Sequence, residues 1–240
     1  MYPKLIFMDL EGTLLQKAYH LDNGKVAPSA WTLLAECLGP DALREEEATK
    51  DRWLSGGYKS YIEWMQDTIR IHQRYGLTRK LFERVIKSVE EMPGARGAVK
   101  TFREHRAVTA IISGAFKALA DRVQQSLKID HALAGCDYFF DPETGQLDHW
   151  NLLPSDYEGK VDFMRLIMKE YQAKKEECAF IGDGQNDIPM AKEVGFSIAF
   201  NAQPALKEVC TYVVDQPPGS QDFQAVAECI DRHASRPEPS

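Results

Sequence analysis

The sequence has few cysteines and lacks any long apolar segment. Its five cysteines are scattered and form no Cys-x-x-Cys pair: Cys37, Cys136, Cys178, Cys210 and Cys229. This pattern favours buried thiols in a reducing cytosol over a disulfide framework. No apolar run approaches the length of a bilayer-spanning helix, and no secretory leader pattern precedes Lys4. We therefore expect a soluble cytoplasmic protein without a membrane partner.

Basic stripes, internal repeats and low-complexity segments are also missing. The chain carries 36 acidic and 29 basic residues, for a formal net charge of -7. An acidic chain without a cluster of Lys or Arg argues against nucleic acid as a main partner. A small anionic ligand stays compatible, because a bound metal can invert the local field. The 240 residues, 44% of them hydrophobic, suit one large domain or a core with a smaller insert.

The order of the predicted elements indicates the fold class. The apolar run at residues 5–8 ends at Asp9 and is typical of a strand buried on both faces. Helical patterns dominate residues 16–89, with Thr78 as a predicted N-cap. Further strands are predicted at 108–112, 178–181 and 196–200, a hairpin at 138–148, and helices at 95–105, 116–127, 160–171 and 188–194. Alternating strands and helices predict an α/β fold, a doubly wound parallel sheet (Rossmann-like core) with a helical cap inserted after the first strand.

Acidic residues follow two of the predicted strands. Asp9 and Glu11 stand two residues apart, so an extended backbone points them to the same side. Asp183 and Asp187 follow the strand at 178–181, among glycines that let the backbone approach a ligand. Either segment alone also fits a solvated acidic turn. Together, at matching strand ends, they predict a site of hard oxygen ligands for Mg²⁺.

Two weaker signals accompany the carboxylates. Ser113 and Gly114 end the strand at 108–112 and precede a predicted helix, whose N-terminus favours anions. The same pattern also fits a simple helix cap. Lys160 begins a predicted helix ahead of the second acidic segment, although a lone lysine is ordinarily a surface residue.

The four segments, in this order, resemble the motifs of the haloacid dehalogenase-like hydrolase superfamily. The closest stretches are residues 9–14 (DLEGTL) and 182–190 (GDGQNDIPM). A helical insert directly after the first motif resembles the phosphoserine phosphatase-like branch. The likeness extends over nearly the whole chain and is weakest in the insert. It assigns residues 1–15 and 90–232 to an α/β hydrolase core and 16–89 to a helical cap, and the composition of the last residues predicts a disordered tail at 233–240.

The resemblance implies a phosphatase with a phospho-aspartyl intermediate. Asp9 would attack phosphorus, and Glu11 would protonate the leaving alcohol and then activate the hydrolytic water. Mg²⁺ would be held by Asp9, the main-chain carbonyl of Glu11 and Asp183, with Asp187 supporting the metal. The phosphate oxygens would be held by Ser113, Gly114, Lys160 and Asn186.

The chain departs from the family pattern at three positions. The second acid is usually Asp, whereas Glu11 adds one methylene and keeps its acid–base capacity. Phosphoserine phosphatases read the substrate amine with a Glu and its carboxylate with an Arg; the corresponding positions here are Ala18 and Met65. Phosphoserine is therefore a doubtful substrate. Other candidates for leaving-group contact are Trp53, Tyr58, Tyr61, Trp64, Arg70, Arg74, His149, Trp150 and Asn151.

Two other functions fit the motifs. A phosphotransferase or mutase of the same superfamily would pass the phosphoryl group to a second hydroxyl. A non-catalytic protein that only binds a phosphorylated ligand would be marked by loss of Asp9, Glu11 or Asp183, and all three are present. We predict hydrolysis of a small-molecule phosphomonoester, with the substrate and the oligomeric state left open.

Overall fold

The computed structural model describes residues 1–17 and 28–235. Within these residues one sheet is formed by β1 (Leu5–Met8), β2 (Val108–Phe116), β3 (His131–Phe140), β4 (Leu147–Leu152), β5 (Cys178–Gly182), β6 (Phe196–Phe200) and β7 (Tyr212–Val214). The strand order is β4-β3-β2-β1-β5-β6-β7. Only the β3–β4 pair is antiparallel among these strands. The predicted α/β fold with a mostly parallel sheet is confirmed.

Helices occupy both the insert and the faces of the sheet. Between β1 and β2 lie α1 (Ala30–Leu38), α2 (Pro40–Leu54), α3 (Tyr61–Arg74), α4 (Arg79–Ser88) and α5 (Ala95–Glu104). Further along the described chain lie α6 (Lys117–Leu127), α7 (Glu158–Glu170), α8 (Ile188–Glu193), α9 (Pro204–Lys207) and α10 (Gln224–Ala234). The predicted N-cap Thr78 accepts a hydrogen bond from the Leu81 N–H at 3.3 Å. Over residues 1–17 and 28–235, no helix has the length and apolarity needed to span a bilayer.

Alternate side chains of β1 pack into two different hydrophobic layers, one on each face of the sheet. Ile6 and Met8 belong to a cluster that includes residues of α5, α6 and α10. Leu5 and Phe7 belong to the layer on the other face, formed with α7 and α8. All four side chains are at most 1% exposed, as expected of a strand covered by helices on both faces. The prediction of buried thiols holds for Cys136, Cys178 and Cys229; it is wrong for Cys37, which is exposed, and for Cys210, which is half-buried.

The hydrophobic cluster on the α5 face continues into the insert. Trp31, Met65 and Phe82, from α1, α3 and α4, belong to the same buried cluster as Ile6 and Phe116 of the sheet. The insert is therefore packed against the sheet as well as joined to it by the chain. The division into core and cap, with its boundaries at 16 and 89, stays a prediction.

The predicted strand ends need correction in the centre of the chain. β2 continues to Phe116 instead of ending at residue 112, because it keeps pairing with β3 beyond a register shift between Ser113 and Phe116. β3 begins at His131, seven residues before the predicted hairpin strand at 138. Its first half is rich in Ala and Gly, which have little intrinsic preference for strands, so pairing with β2 decides its conformation.

Three elements near the C-terminus, α9, β7 and α10, were not predicted. β7 has only three residues and lies at the edge of the sheet. The amphipathic helix α10 buries Val226 and Ile230 and continues through Ala234. Residues 233 and 234 of the predicted disordered tail are therefore helical, and residues 236–240 lie outside the described residues.

Candidate active site

The carboxyl ends of two adjacent strands place the first acids of the site. Met8 of β1 is in register with Ile181 of β5, and the Asp9 N–H donates to the Ile181 carbonyl at 2.9 Å. Asp183 follows directly after β5. Parallel pairing thus brings Asp9 and Asp183 side by side at one edge of the sheet, where α/β folds bind ligands.

Asp187 completes a cluster of three buried carboxylates. Asp9, Asp183 and Asp187 each offer an oxygen, and these oxygens lie within 4.8 Å of one another. The Asp187 carboxylate accepts the N–H groups of Asp183 and Gly184 at 3.2 and 3.0 Å, which closes the turn after β5. A Cβ at Gly182 would overlap this carboxylate, so the turn requires glycine there. Burial raises the pKa of Asp187 to about 7 against the lowering effect of Lys160.

Lys160 is the buried cation of the cluster. Its Nζ donates to Asp9 Oδ1 at 2.7 Å and to Asp187 Oδ1 at 2.6 Å, and the side chain is 0% exposed. Burial opposes its charge, yet Asp187 and Asp9 together hold the pKa of this ammonium well above its usual range. Lys160 therefore stays charged and fixes the orientation of the Asp9 carboxylate.

Glu11 lies on the insert side of the cluster. Its Oε1 accepts the N–H of Ala30, the first residue of α1, at 2.7 Å. Burial raises the pKa of Glu11 to about 7, and the hydrogen bond from Ala30 only partly offsets this. A carboxyl group with such a pKa can give and take a proton near neutral pH. The next residue, Gly12, has φ 86°, and a Cβ there would overlap the Asp183 carboxylate.

Ser113 and Gly114 line the site from β2, although they do not precede a helix as predicted. The strand continues through Phe116, and α6 begins only at Lys117. No helix N-terminus therefore faces the site at Ser113. The Ser113 hydroxyl accepts the Ala115 N–H at 3.3 Å, and the side chain is 3% exposed.

Asn186 is tied to an acid that the sequence reasoning missed. Its Nδ2 donates to Asp156 Oδ1 at 2.6 Å. The same Asp156 oxygen lies 3.8 Å from the Lys160 ammonium, which is four residues further along the chain. Asp156 precedes α7, so the helical i, i+4 rule does not apply to this pair, and no local pattern in the sequence pointed to the contact.

Lys17 is a second cation that the sequence reasoning missed. Its Nζ donates to Asp183 Oδ2 at 2.6 Å, with the side chain 30% exposed. Burial lowers the pKa of Lys17, but Asp183, Asp9 and Glu11 more than offset this, and the net pKa is raised. Lys17 stands in a loop without a periodic pattern, so nothing in the sequence pointed to this ion pair.

A cleft of about 230 Å³ opens beside the carboxylates. Its aromatic and apolar wall on the insert side is formed by Trp31, Tyr61, Trp64 and Met65. Tyr61 and Trp64 thus lie where leaving-group contacts were predicted. Trp53 stacks on Trp64 at 5.0 Å and its Nε1 donates to the Tyr157 hydroxyl at 3.2 Å.

The other residues considered for contact with the leaving group lie outside this cleft, line it without a charge, or fall outside the described residues. Tyr58, Arg70 and Arg74 line a separate depression on the insert. The β4 residues 149–151 are not among the described residues that line the cleft. Ala18, which stands where the amine-reading Glu was expected, lies outside the described residues. Met65, at the expected Arg position, lines the cleft and is 4% exposed, so it offers the site no charge.

Comparison with known proteins places this chain in a family. A model of the haloacid dehalogenase-like hydrolases matches residues 3–195. The phosphoserine phosphatase of Lactococcus lactis is 30% identical over 164 residues, covering 67% of this chain and 72% of the relative. Phosphoserine phosphatase SerB2 of Mycobacterium tuberculosis is 31% identical over 149 residues; the match covers 62% of this chain and 36% of that protein.

A solved structure shares the fold. It is described as a phospho-aspartyl intermediate analogue of phosphoserine phosphatase, and it superimposes with a TM-score of 0.74 at 22% identity, covering 95% of this chain and 99% of that one. The predicted likeness to the phosphoserine phosphatase-like branch and the prediction of a hydrolase of the phosphatase type are confirmed. The chain belongs to the haloacid dehalogenase-like hydrolase family.

Proposed function

We propose that this protein is a Mg²⁺-dependent phosphatase that hydrolyses a small phosphomonoester through a phospho-aspartyl intermediate on Asp9. One observation carries the proposal. The Asp9 carboxylate is held by the buried Lys160 ammonium beside Asp183 and Asp187, and it lines an open cleft. The phosphatase relatives support this function, and their names supply the reaction class that such a site would serve.

In the proposed reaction, Asp9 acts as the nucleophile. A carboxylate oxygen of Asp9 attacks phosphorus, the ester P–O bond breaks, and Glu11 gives its proton to the departing alkoxide. Glu11, now ionised, takes a proton from water as the water oxygen attacks the acyl phosphate. Inorganic phosphate and the Asp9 carboxylate are released. Because the pKa of Glu11 lies near 7, both proton transfers are accessible at neutral pH.

Phosphate binding requires positive charge and hydrogen-bond donors beside several carboxylates. We assign a phosphate oxygen to the buried Lys160 ammonium, which lies against Asp9, and others to the hydroxyl of Ser113, the main chain of Gly114 and the amide of Asn186, which line the cleft. Asp156 holds that amide through its hydrogen bond to Asn186, and so acts as a positioning residue. Fixed donors of this kind supply most of the catalysis in phosphoryl transfer.

The donor set of the cluster suits Mg²⁺. Asp183 Oδ1 is buried and has no hydrogen-bond partner in the described part of the protein, which is costly for a carboxylate oxygen without a cation. We assign the metal to the carboxylates of Asp9 and Asp183 and the main-chain carbonyl of Glu11, with Asp187 supporting it. When bound, Mg²⁺ offsets the negative charge that Asp9 and a phosphate dianion share.

Removing Lys17 is expected to tighten Mg²⁺ binding. The Lys17 ammonium already neutralises Asp183 Oδ2 at 2.6 Å, so the cation that enters must compete with it. We expect Lys17→Met to lower the Kd for Mg²⁺ by about 3- to 10-fold, a modest change because the lysine is partly exposed and screened. Isothermal titration calorimetry of the metal-free protein with MgCl₂ measures this constant directly.

A matched control is available in the same chain. Lys207 pairs with Asp215 at 2.7 Å, and its side chain is 32% exposed, close to the 30% of Lys17. Lys207→Met removes a lysine of similar exposure from an ion pair that does not involve the cluster, so the Mg²⁺ affinity of this variant should equal that of the wild type. If the Kd for Mg²⁺ in Lys17→Met were equal to or higher than that of the wild type, competition between the ammonium and the metal would be contradicted.

Phosphate release tests the proposed function itself. With p-nitrophenyl phosphate and a panel of phosphorylated metabolites, we expect turnover with MgCl₂, at least ~10²-fold less in EDTA, and recovery when excess MgCl₂ is restored. A malachite green assay measures inorganic phosphate for every substrate. Equal turnover with MgCl₂ and with EDTA would show that the activity does not depend on the metal. If no phosphate were released from any substrate, the proposed phosphatase activity would be contradicted.

A further inference from the structure

The insert carries one buried carboxylate that the proposed reaction does not use. Glu46 lies in the middle of α2, lines the cleft and is 3% exposed. Its Oε1 accepts the Thr32 hydroxyl at 3.2 Å. Its Oε2 is buried and has no hydrogen-bond partner among the residues that the structure describes. A buried carboxylate oxygen without a donor is destabilising, so its place in the cleft wall points to a ligand that supplies one.

The polar groups of the aromatic side chains that line the cleft with Glu46 are bonded to other residues of the protein. The Trp31 Nε1 and the Tyr61 hydroxyl both donate to the Gly114 carbonyl at 3.3 Å. The Trp64 Nε1 donates to the Thr49 hydroxyl at 3.1 Å. With these groups engaged inside the protein, Glu46 Oε2 is a buried carboxylate oxygen of the cleft wall that no described residue engages.

The charges around the cleft favour a cationic donor over a neutral one. The carboxylates that line it are Asp9, Glu11, Glu46, Asp156 and Asp183, and the lining lysines are Lys17 and Lys50. Burial raises the pKa of Glu46 above its ordinary value, Lys50 and the Thr32 hydroxyl lower it, and Glu47 raises it by a smaller effect. Mg²⁺ in the proposed site would offset the charge of Asp9, Asp183 and the phosphate dianion, and Lys160 is held by Asp9 and Asp187. Neither cation is assigned to Glu46, so its negative charge is left to a cationic donor on the leaving group. Indole and phenol faces also attract cations.

We propose that Glu46 binds a positively charged amino group on the leaving alcohol, so that the substrates are phosphomonoesters of amino alcohols. This inference rests on the proposed phosphatase function. The interaction comes from α2, and it does not use the positions of Ala18 and Met65. The Glu46 carboxylate and the aromatic faces together receive the ammonium, while the phosphate lies at Asp9 and Lys160.

The experiment compares two substrates that differ at one group. Phosphoethanolamine carries an ammonium where n-propyl phosphate carries a methyl group of similar size. We expect wild-type kcat/KM to favour phosphoethanolamine by about 10- to 100-fold, as for a hydrogen bond to a charged group. Glu46→Gln keeps the shape and can still accept from Thr32, but it should reduce the ratio to near one. Glycerol 1-phosphate serves as the hydroxyl-bearing comparison.

The neighbouring residue provides the matched control. Glu47 is exposed on the same helix, so Glu47→Gln makes the same chemical change outside the cleft and should keep the wild-type ratio. A wild-type ratio near one overturns the proposal. So does an equal loss for both substrates in Glu46→Gln, which would mark a structural role. Equal preference for glycerol 1-phosphate would replace the ammonium by a hydroxyl donor and overturn the amino-alcohol assignment.

Binding separates this inference from the phosphatase proposal. In Asp9→Asn, calorimetry with phosphoethanolamine and n-propyl phosphate gives two Kd values without turnover. A preference for the amine that disappears in Asp9→Asn/Glu46→Gln supports the Glu46 site even if no substrate is hydrolysed. Equal Kd values for the two ligands overturn it, even if the enzyme is an active phosphatase.

Discussion

Asp9→Asn is expected to lower kcat by on the order of 10⁴-fold or more, because an amide lacks the nucleophilic oxygen that the covalent step requires. The substitution keeps the size of the side chain and an oxygen that can accept the hydrogen bond from Lys160. It also removes one negative charge from a cluster of buried acids, so the midpoint of urea denaturation should change little. Steady-state hydrolysis of p-nitrophenyl phosphate and a urea titration measure the two quantities.

The control for this variant is an aspartate outside the cluster. Asp162 is 79% exposed on α7, and Asp162→Asn should retain wild-type turnover. Residual activity of Asp9→Asn within about 10-fold of the wild type would rule out a phospho-aspartyl intermediate on this residue. A normal denaturation midpoint in the inactive variant would assign the loss to chemistry, since a misfolded protein would also denature earlier.

Lys160→Met is expected to have the largest effect on stability. The ammonium is completely buried between Asp9 and Asp187, and its removal leaves both carboxylates without their shared cation. Removing one partner of a buried ion pair costs about 3–5 kcal/mol of the free energy of unfolding. Turnover should fall as well, because the proposed reaction loses its buried phosphate ligand. Urea denaturation in EDTA at pH 8 measures the change in stability without the metal.

The stability lost in Lys160→Met should depend on pH. Burial already raises the pKa of Asp187 to about 7, and Lys160 opposes that shift, so its removal raises this pKa further. A carboxyl group whose pKa is higher folded than unfolded binds a proton more tightly in the folded protein. The destabilisation is therefore greatest at pH 8 and shrinks as the pH falls toward 5.

Lys169 provides the control for this variant. It is exposed on the same helix, and Lys169→Met should leave the unfolding free energy within about 0.5 kcal/mol of the wild type. If Lys160→Met also stayed within that range at pH 8, the buried ammonium would not be needed to hold the carboxylates together. A loss that did not change with pH would point to packing as its cause.

Much of the fold could be predicted because its signals are local. The apolar runs at β1 and β5 are covered on both faces, so every residue in them is buried and no polar position interrupts the pattern. β3 was the hard case, since its Ala- and Gly-rich first half is a strand only through its pairing with β2. β7 gives almost no periodic signal in three residues.

The residues of the site also differ in whether the sequence could predict them. Asp9 and Asp183 could be placed together from sequence because parallel strands end at one edge of the sheet. The ion pair of Lys17 with Asp183 joins residues 166 positions apart through a loop, and no local pattern carries such information. Glu46 was missed for another reason. Its helix is rich in acids, and only the packing of the insert shows which of them is buried.

Two residues of the cleft wall also belong to the largest hydrophobic cluster. Trp31 and Met65 line the cleft and pack in the same buried cluster as Ile6 and Phe116 of the sheet. Reshaping the wall for a different alcohol would therefore also open a cavity or overfill the interior, at a cost of about 1–5 kcal/mol per large substitution. A substitution of Trp31 or Met65 that changes the substrate specificity of this enzyme is therefore expected to lower its free energy of unfolding as well. Further substitutions in the cluster would be needed to restore the stability.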